Sequence, residues 1–238
     1  MARRTAEQLA QTRQNLIDAA KQVFAEKGYT NTQIADITQQ AGTGMSAFYG
    51  QFENKEALFL MIVHEMFDEL HAGVVEIRRG MNLNSPLDML ILTQQIYQLV
   101  FETLYKHAQI TLSVFRSGVA ATPEIERLYW QICDAVADAL SQDMQRGEAV
   151  GLLNIESRRD MADAMFGMVQ QLAHRMVLDG SPTPAQASRV CTQYTIGALL
   201  MHMPKSALQH ILPALAALPT DLTHTPSPAT STPSEVSL

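Results

Sequence analysis

The chain has 238 residues and a formal net charge of −7, with 47% hydrophobic and 17% charged residues. This length and composition predict one large or two small globular domains and exclude a wholly disordered chain. No apolar run approaches the ~20 residues of a membrane span, and no apolar segment follows the basic start, so we expect no membrane partner and no signal peptide. Cys133 and Cys191 form no Cys-x-x-Cys pattern, which favours neither a zinc ribbon nor a disulfide framework and is typical of a cytoplasmic protein.

The charge is unevenly distributed along the chain. Residues 1–55 carry six Lys or Arg and five Asp or Glu, a net +1, so that −8 remains for the rest. A net charge of −7 taken alone argues against a nucleic-acid-binding protein. A mildly basic N-terminal segment followed by an acidic body is compatible with binding to nucleic acid through that segment.

Helices are predicted along almost the whole chain. Helix-forming residues dominate, and no stretch alternates apolar and polar residues as a half-buried strand does. Capping residues, N-terminal prolines and terminal glycines separate the helices. They are predicted over about 9–28, 33–41, 43–50, 55–78, 86–105, 108–117, 123–147, 156–179, 184–202 and 205–217. Residues 219–238, rich in Pro, Ser and Thr, cannot bury enough apolar surface and are predicted to form a disordered tail.

The segment 28–55 gives the sharpest functional signal. Two short helices flank the turn Ala41-Gly42-Thr43-Gly44, which is the arrangement of a helix-turn-helix. Phe48 and Phe52 are four residues apart and can anchor the second helix inward. The side chains that then point outward are those of Met45, Ser46 and Tyr49. A short helix of this kind can enter the major groove and present its N-terminal end to the base edges.

Over about residues 9–60 the sequence resembles the TetR family of one-component transcriptional regulators. The residues that carry the resemblance are Val23-Phe24-Ala25-Glu26-Lys27-Gly28-Tyr29, Thr32-Gln33-Ile34-Ala35-Asp36-Ile37, Ala41-Gly42 and Phe48-Tyr49-Gly50-Gln51-Phe52-Glu53-Asn54-Lys55-Glu56-Ala57-Leu58. The resemblance implies an all-α fold. An N-terminal three-helix helix-turn-helix DNA-binding unit (residues 1–55, the head) is followed by a larger helical effector-binding and dimerisation bundle (residues 56–218, the body).

The resemblance also implies which residues contact DNA. They are Thr32, Gln33, Thr43, Gly44, Met45, Ser46, Tyr49, Gln51 and Lys55. Gln33, Tyr49 and Lys55 would face phosphates, and Lys55 would be assisted by the dipole of the helix that it begins.

The head departs from the family pattern in ways that limit its charge. Met45 stands where the family often has Lys or Arg, and a thioether cannot make a bidentate guanine contact, although it can touch a thymine methyl group. Few fixed cations predict few phosphate contacts and a gentle salt dependence, to which Arg3, Arg4 and Arg13 can add.

The body contains polar and flexible side chains within apolar helices. The helix over 86–105 is apolar almost all round, so it is predicted to lie inside a bundle, and its buried polar groups need partners. They either satisfy one another and backbone carbonyls or orient a bound small molecule. The methionines of the helix over 156–179 form either ordinary core or an adaptable pocket wall. Candidate effector-binding residues are Thr93, Gln94, Tyr97, Phe101, Phe115, Trp130, Met165 and Met168.

A homodimer is predicted on two grounds. One short recognition helix reads too few base pairs, and two-fold proteins match palindromic sites. The resemblance assigns the interface to the helices at about 156–179 and 184–202, each paired with its copy.

We therefore expect a repressor that binds double-stranded operator DNA as a homodimer and is released by a small, largely apolar effector. One alternative is a regulator of the same fold that senses a metal or an oxidant, through the face shared by His64, Asp68 and His71 or through the two cysteines. Another is a helical lipid carrier or enzyme with a structural head. No nucleophile elbow, phosphate loop or pair of carboxylates in an apolar setting supports an enzyme, and we expect no cofactor.

Overall fold

The computed structural model describes residues 5–79, 86–117 and 122–216. Within these segments all regular structure is helical, as predicted. The helices are α1 Ala6–Asn31, α2 Ile34–Gln40, α3 Met45–Tyr49, α4 Lys55–Arg79, α5 Pro86–Lys106, α6 Ala108–Ser117, α7 Pro123–Ala149, α8 Arg158–Asp179, α9 Pro184–Met201 and α10 Lys205–Ala216. None of these described helices is long and apolar enough to cross a membrane. Arg3, Arg4 and the predicted tail over 219–238 lie outside the described residues.

Side-chain caps begin the helices where the sequence predicts them. Asn54 Oδ1 accepts a hydrogen bond from the amide of Ala57 at 2.8 Å at the start of α4. Thr122 Oγ1 accepts one from the amide of Ile125 at 3.2 Å at the start of α7. Thr183 forms the predicted capping box at α9, because its hydroxyl oxygen accepts from the amide of Gln186 and its own amide donates to Gln186 Oε1. These bonds satisfy amides that have no partner inside the helix.

The first helix is interrupted at the glycine that was predicted to end it. Gly28 has φ 74° and ψ 164°, a conformation that glycine adopts without the penalty of a side chain. One further turn follows the break and ends at Asn31. The end of α1 therefore bends toward the first residues of α4.

The aromatic core of the head continues into α4. The rings of Phe24 and Phe59 meet edge to face with centroids 5.1 Å apart, and the Tyr29 and Phe59 centroids are 5.0 Å apart. The same buried cluster includes Ile110 of α6 and Ile125 of α7. The apolar core thus crosses residue 55 and connects the head with the body.

In the body, α5 lies inside a bundle, as its apolar sequence predicts. It packs against α4, α8 and α9, while α7 packs against α8. The approach of α4 to α5 is close at Gly73, where an added Cβ would lie 2.7 Å from Leu99 Cδ2. This proximity leaves little freedom between the two helices at that level.

Polar contacts join α4 to α7 near both of its ends. At the head end, the Thr122 hydroxyl donates to the Glu56 carboxylate. At the far end, the Arg78 guanidinium pairs with the Asp143 carboxylate. Helix α4 is thus bonded to the body beside the head and again at the opposite end of the bundle.

Candidate DNA-binding surface and internal cavities

A tight turn holds α3 against α2. Gly42 has φ 62°, a left-handed conformation that favours glycine. The amide of Thr43 donates to the carbonyl of Thr38 at 2.9 Å, and the amide of Ala41 donates to that of Ile37 at 2.9 Å. Phe48 is completely buried beneath α3. The predicted helix-turn-helix geometry is therefore present, with one side of α3 anchored and the other open.

The open side of α3 presents uncharged groups. Met45 is 44% exposed and Tyr49 is 56% exposed, whereas Thr43 is partly buried and its hydroxyl oxygen has no partner in the described part of the chain. We call the exposed residues of this region the recognition surface: Gln33, Gly44, Met45, Ser46 and Tyr49. Such a surface can touch base edges and thymine methyl groups, but it supplies no cation for guanine or phosphate.

Thr32 faces the interior, against its predicted role. The residue is 2% exposed, and its hydroxyl donates to the carbonyl of Gly28 at 2.7 Å. The side chain closes the bend at the end of α1. Burial leaves this hydroxyl almost no surface to offer to DNA, and the DNA contact of Thr32 stays a prediction.

Lys55 also makes its contacts inside the protein. Its Nζ donates to the carbonyls of Tyr29 and Thr32, each at 2.7 Å, and lies 4.3 Å from the centroid of the Tyr29 ring. Burial lowers the pKa of this ammonium. A cation at the C-terminal end of a helix compensates unpaired carbonyls and the negative end of the dipole. In this structure Lys55 thus stabilises the end of α1 rather than extending toward solvent.

Two further cations of the head are bound by protein groups. Arg13 Nη1 donates to the carbonyl of Gln51 at 3.2 Å, and its guanidinium lies 4.5 Å from the centroid of the Phe52 ring. Lys27 pairs with Asp36 at 2.8 Å, and this bond lowers the pKa of the Asp36 carboxyl group. Arg13 therefore joins α1 to the segment between α3 and α4, where the half-buried Gln51 supplies the accepting carbonyl.

The body contains a partly open cavity of about 190 Å³, which we call the large cavity. Its walls come from α4 to α8 and are mainly apolar. Helix α4 contributes Phe59, Val63 and Phe67, which belong to or adjoin the core of the head. An engineered apolar cavity of about 150 Å³ in another protein binds benzene, so this volume suffices for a small apolar ligand.

Some residues of the apolar lining of the large cavity carry polar groups that are bonded to other side chains. The Tyr129 hydroxyl accepts a hydrogen bond from Gln170 Nε2 at 2.6 Å. The Tyr97 hydroxyl lies 2.7 Å from Thr195 Oγ1, and burial raises the pKa of Tyr97 to about 12. Both hydroxyls thus have protein partners, and the surface of the large cavity is almost entirely apolar.

A second cavity of about 90 Å³, the distal cavity, adjoins the first. The side chains that line both are Ile96, Tyr97, Leu140 and Met165. The distal cavity adds polar groups from α5 and α7, namely Thr93, Asp143 and Arg146.

The predicted effector-binding residues fall into three groups. Tyr97 and Met165 line both cavities, and Thr93 lines the distal one. Phe101 and Trp130 line neither cavity. Phe101 is completely buried in the core around Tyr97. Trp130 is 54% exposed, on the outer side of α7. Gln94 and Met168 are half-buried outside both linings. The side chain of Phe115 lies outside the described residues.

Sequence reasoning missed the Tyr129–Gln170 pair. Tyr129 falls on the apolar stripe of α7, where it reads as a core residue, and Gln170 falls among the polar positions of α8. Only the packing of α7 against α8 brings the two side chains together. The only sequence feature that indicated this pair was the polar hydroxyl of Tyr129 within the apolar stripe of α7.

The two cysteines are buried, and the two histidines of α4 named above are exposed. Burial raises the pKa of Cys191 to about 12 and raises that of Cys133, which disfavours the reactive thiolate. His64 and His71 lie on the exposed face of α4. Among the described residues, no group of three or more His, Cys, Asp or Glu side chains could hold a metal ion.

Comparisons with known proteins agree with this architecture. The family model described as "Bacterial regulatory proteins, tetR family" matches residues 16–62. The chain is 30% identical over 187 residues to the protein described as probable HTH-type transcriptional regulator ArpR of Pseudomonas putida, covering 75% of this chain and 86% of that protein. It is 29% identical, with the same coverage, to the HTH-type transcriptional regulator TtgR of Pseudomonas putida.

A solved structure shares the fold. A TetR-like transcriptional regulator from Rhodococcus sp. RHA1 superposes with a TM-score of 0.65 at 15% identity, covering 79% of this chain and 95% of that one. The family match lies on the helix-turn-helix, and the sequence relatives extend it through most of the body. The chain therefore belongs to the TetR family of transcriptional regulators and is a DNA-binding helix-turn-helix protein, not an enzyme.

Proposed function

We propose that this regulator is a cytoplasmic repressor that binds a palindromic operator as a homodimer and releases it when a small, largely apolar effector enters the body. The observation that carries the proposal is the position of α4. This helix supplies core residues to the head and, through the same stretch, wall residues to the large cavity.

The recognition surface favours dimeric binding. Helix α3 has five residues and exposes neutral groups, so one copy can read few base pairs and gains little from phosphate attraction. Two copies related by a two-fold axis would place their α3 helices in successive major grooves about 34 Å apart. Such a dimer requires an operator with matching half-sites.

Exposed apolar side chains on α8 and α9 support self-association. Leu178 is 49% exposed, Tyr194 68% and Met201 86%. Large exposed apolar groups often mark protein contact sites. A second copy packed on these helices would cover them.

The effector acts, in this proposal, by shifting a conformational equilibrium. A ligand that fits better when α4 moves outward from α7 and α5 favours that state. The N-terminal end of α4 carries Lys55, which holds the end of α1, so a displacement of α4 is transmitted to the head. The two α3 helices of the dimer then lose the spacing that the operator requires.

Fluorescence anisotropy with the DNA upstream of the protein's own gene tests the proposal. Wild type is expected to bind saturably, and Tyr49→Ala to bind at least about tenfold more weakly, because the exposed phenol faces the DNA. Tyr105→Ala is the matched control, since Tyr105 is 55% exposed on α5 in the body. Equal binding by wild type and Tyr49→Ala would exclude α3 as the reading element.

A further inference from the structure

The two cavities are arranged end to end along the same pair of helices. On α7, residues 125–140 line the large cavity and residues 140–146 line the distal one. On α5, residues 96–104 line the large cavity and residues 89–97 the distal one. At 1.5 Å per residue, the α7 segment from Ile125 to Arg146 extends about 30 Å. The four side chains that line both cavities place the two cavities next to each other along these helices.

The chemistry differs between the two ends. The large cavity, near the head, is apolar, whereas the lining of the distal cavity includes Asp143 and Arg146. Arg78 is not part of that lining, but it pairs with Asp143, and we call these three residues the charged cluster. Arg146 Nη1 donates to Asp143 Oδ1 at 2.6 Å, and Arg78 Nη2 donates to Asp143 Oδ2. Two guanidinium groups on one carboxylate leave this cluster with an excess of one positive charge.

The cluster is better suited to an anion than to a cation. Both carboxylate oxygens of Asp143 already accept a bond from an arginine. The Nε of Arg78 is buried without a partner in the described structure, and a guanidinium has five N–H donors in all. Donors are therefore in surplus at this end.

We propose that the effector is an elongated amphipathic anion, with an apolar chain in the large cavity and a carboxylate bound by Arg146 beside Arg78 in the distal cavity. This inference rests on the proposed function, because it names the chemical class of the molecule that the body senses. The Tyr97 and Thr195 hydroxyls, hydrogen-bonded to each other at the junction, lie on the path between chain and carboxylate.

Chain-matched probes test the charge preference. Isothermal titration of the full-length protein is carried out with decanoate, 1-decanol and decylamine, each below its micellar concentration. Decanoate is expected to bind at least about tenfold more tightly than 1-decanol, the gain of one charge-assisted hydrogen bond. Decylamine is expected to bind no more tightly than the alcohol, because the excess cation repels it.

Two matched arginine variants locate the anion. Arg146→Gln should weaken decanoate binding about tenfold and leave 1-decanol binding unchanged. Arg175→Gln should change neither, although Arg175 is likewise paired with an aspartate on its own helix, Asp179. Val136→Trp narrows the large cavity and should weaken both probes, which separates the chain end from the charged end. Thermal melting checks that each variant is folded.

The inference is overturned if the three probes bind equally, if decylamine binds most tightly, or if no probe binds. It is also overturned if Arg146→Gln affects acid and alcohol alike. Operator anisotropy on the same preparations keeps the two proposals apart. Retained operator binding with no preference for decanoate contradicts the anionic class alone, whereas loss of operator binding with intact preference contradicts the repressor function alone.

Discussion

The ammonium group of Lys55 lies where α1 ends, and two backbone carbonyls accept its hydrogen bonds. Its position over the Tyr29 ring adds a cation–π contact. The residue begins α4 and binds the end of α1, so it joins these two helices. Its contribution to stability is therefore a property of the junction between head and body.

Lys55→Met should destabilise the protein. The substitution keeps the apolar stem but leaves the carbonyls of Tyr29 and Thr32 without their partner, at a cost of about 2 kcal/mol. Urea denaturation measures the free energy of unfolding. Lys205→Met, at an exposed position of α10, is the control and should have little effect. An unchanged free energy in Lys55→Met would contradict the capping role.

Tyr97 should make the protein sensitive to alkali. Burial raises its pKa to about 12 in the folded state, from 10.0 for a free phenol. Between these values the unfolded chain has lost the proton that the folded chain keeps, so the free energy of unfolding falls as pH rises. Denaturation at pH 10 to 12 should therefore show a smaller decline in Tyr97→Phe than in wild type. The pKa of Tyr29 is also raised to about 12, so the free energy of unfolding of Tyr97→Phe should still decline in part over this pH range. Parallel declines would mean that the Tyr97 hydroxyl is not buried as described.

At the scale of helices, α4 and α5 are packed too closely at Gly73 for a side chain. Gly73→Ala should cost about 1–3 kcal/mol, because the new methyl group would lie 2.7 Å from Leu99 Cδ2. Leu99→Ala removes the obstructing atoms. A double-mutant cycle should therefore show that Gly73→Ala costs much less when Leu99 is already alanine. Additive effects of the two substitutions would contradict close packing at this level.

The helices could be predicted well because their signals are local. Asn54, Thr122 and Thr183 cap the helices that their sequence contexts indicate, and Gly28 breaks α1 where a left-handed residue is needed. The helix-turn-helix follows for the same reason, since Phe48 sits at the right spacing after Gly42 to anchor α3.

The orientation of individual polar side chains could not be predicted in this way. Thr32 and Lys55 lie within the recognised motif, yet their side chains bond to backbone carbonyls at the bend of Gly28, and the position of these carbonyls depends on that bend. The side-chain contacts in the cavity walls could not be predicted from the sequence either. Tyr129 meets Gln170 only through the packing of α7 on α8, which neither helix encodes alone.

At the scale of the whole molecule, the proposed dimer should determine operator affinity. Tyr194 is 68% exposed on α9, and Tyr194→Asp places a charge on the proposed interface. Analytical ultracentrifugation should give wild type a mass of about twice the 26.3 kDa of one chain, and should give Tyr194→Asp the mass of one chain. The Tyr194→Asp variant should also lose operator binding. Tyr105→Asp, at a similarly exposed position of α5, should remain dimeric. A monomeric wild type that binds operator tightly would rule out the dimer.

The central claim is that occupation of the large cavity moves α4 and thereby weakens DNA binding. Val136→Trp fills part of this cavity from α7 without any ligand, whereas Val150→Trp adds the same side chain at an exposed position beyond the end of α7. The operator dissociation constant of the two folded dimers, measured by fluorescence anisotropy, is the most direct test. We predict that Val136→Trp binds operator at least about tenfold more weakly than Val150→Trp. Equal, wild-type-like affinity in both variants would contradict the account.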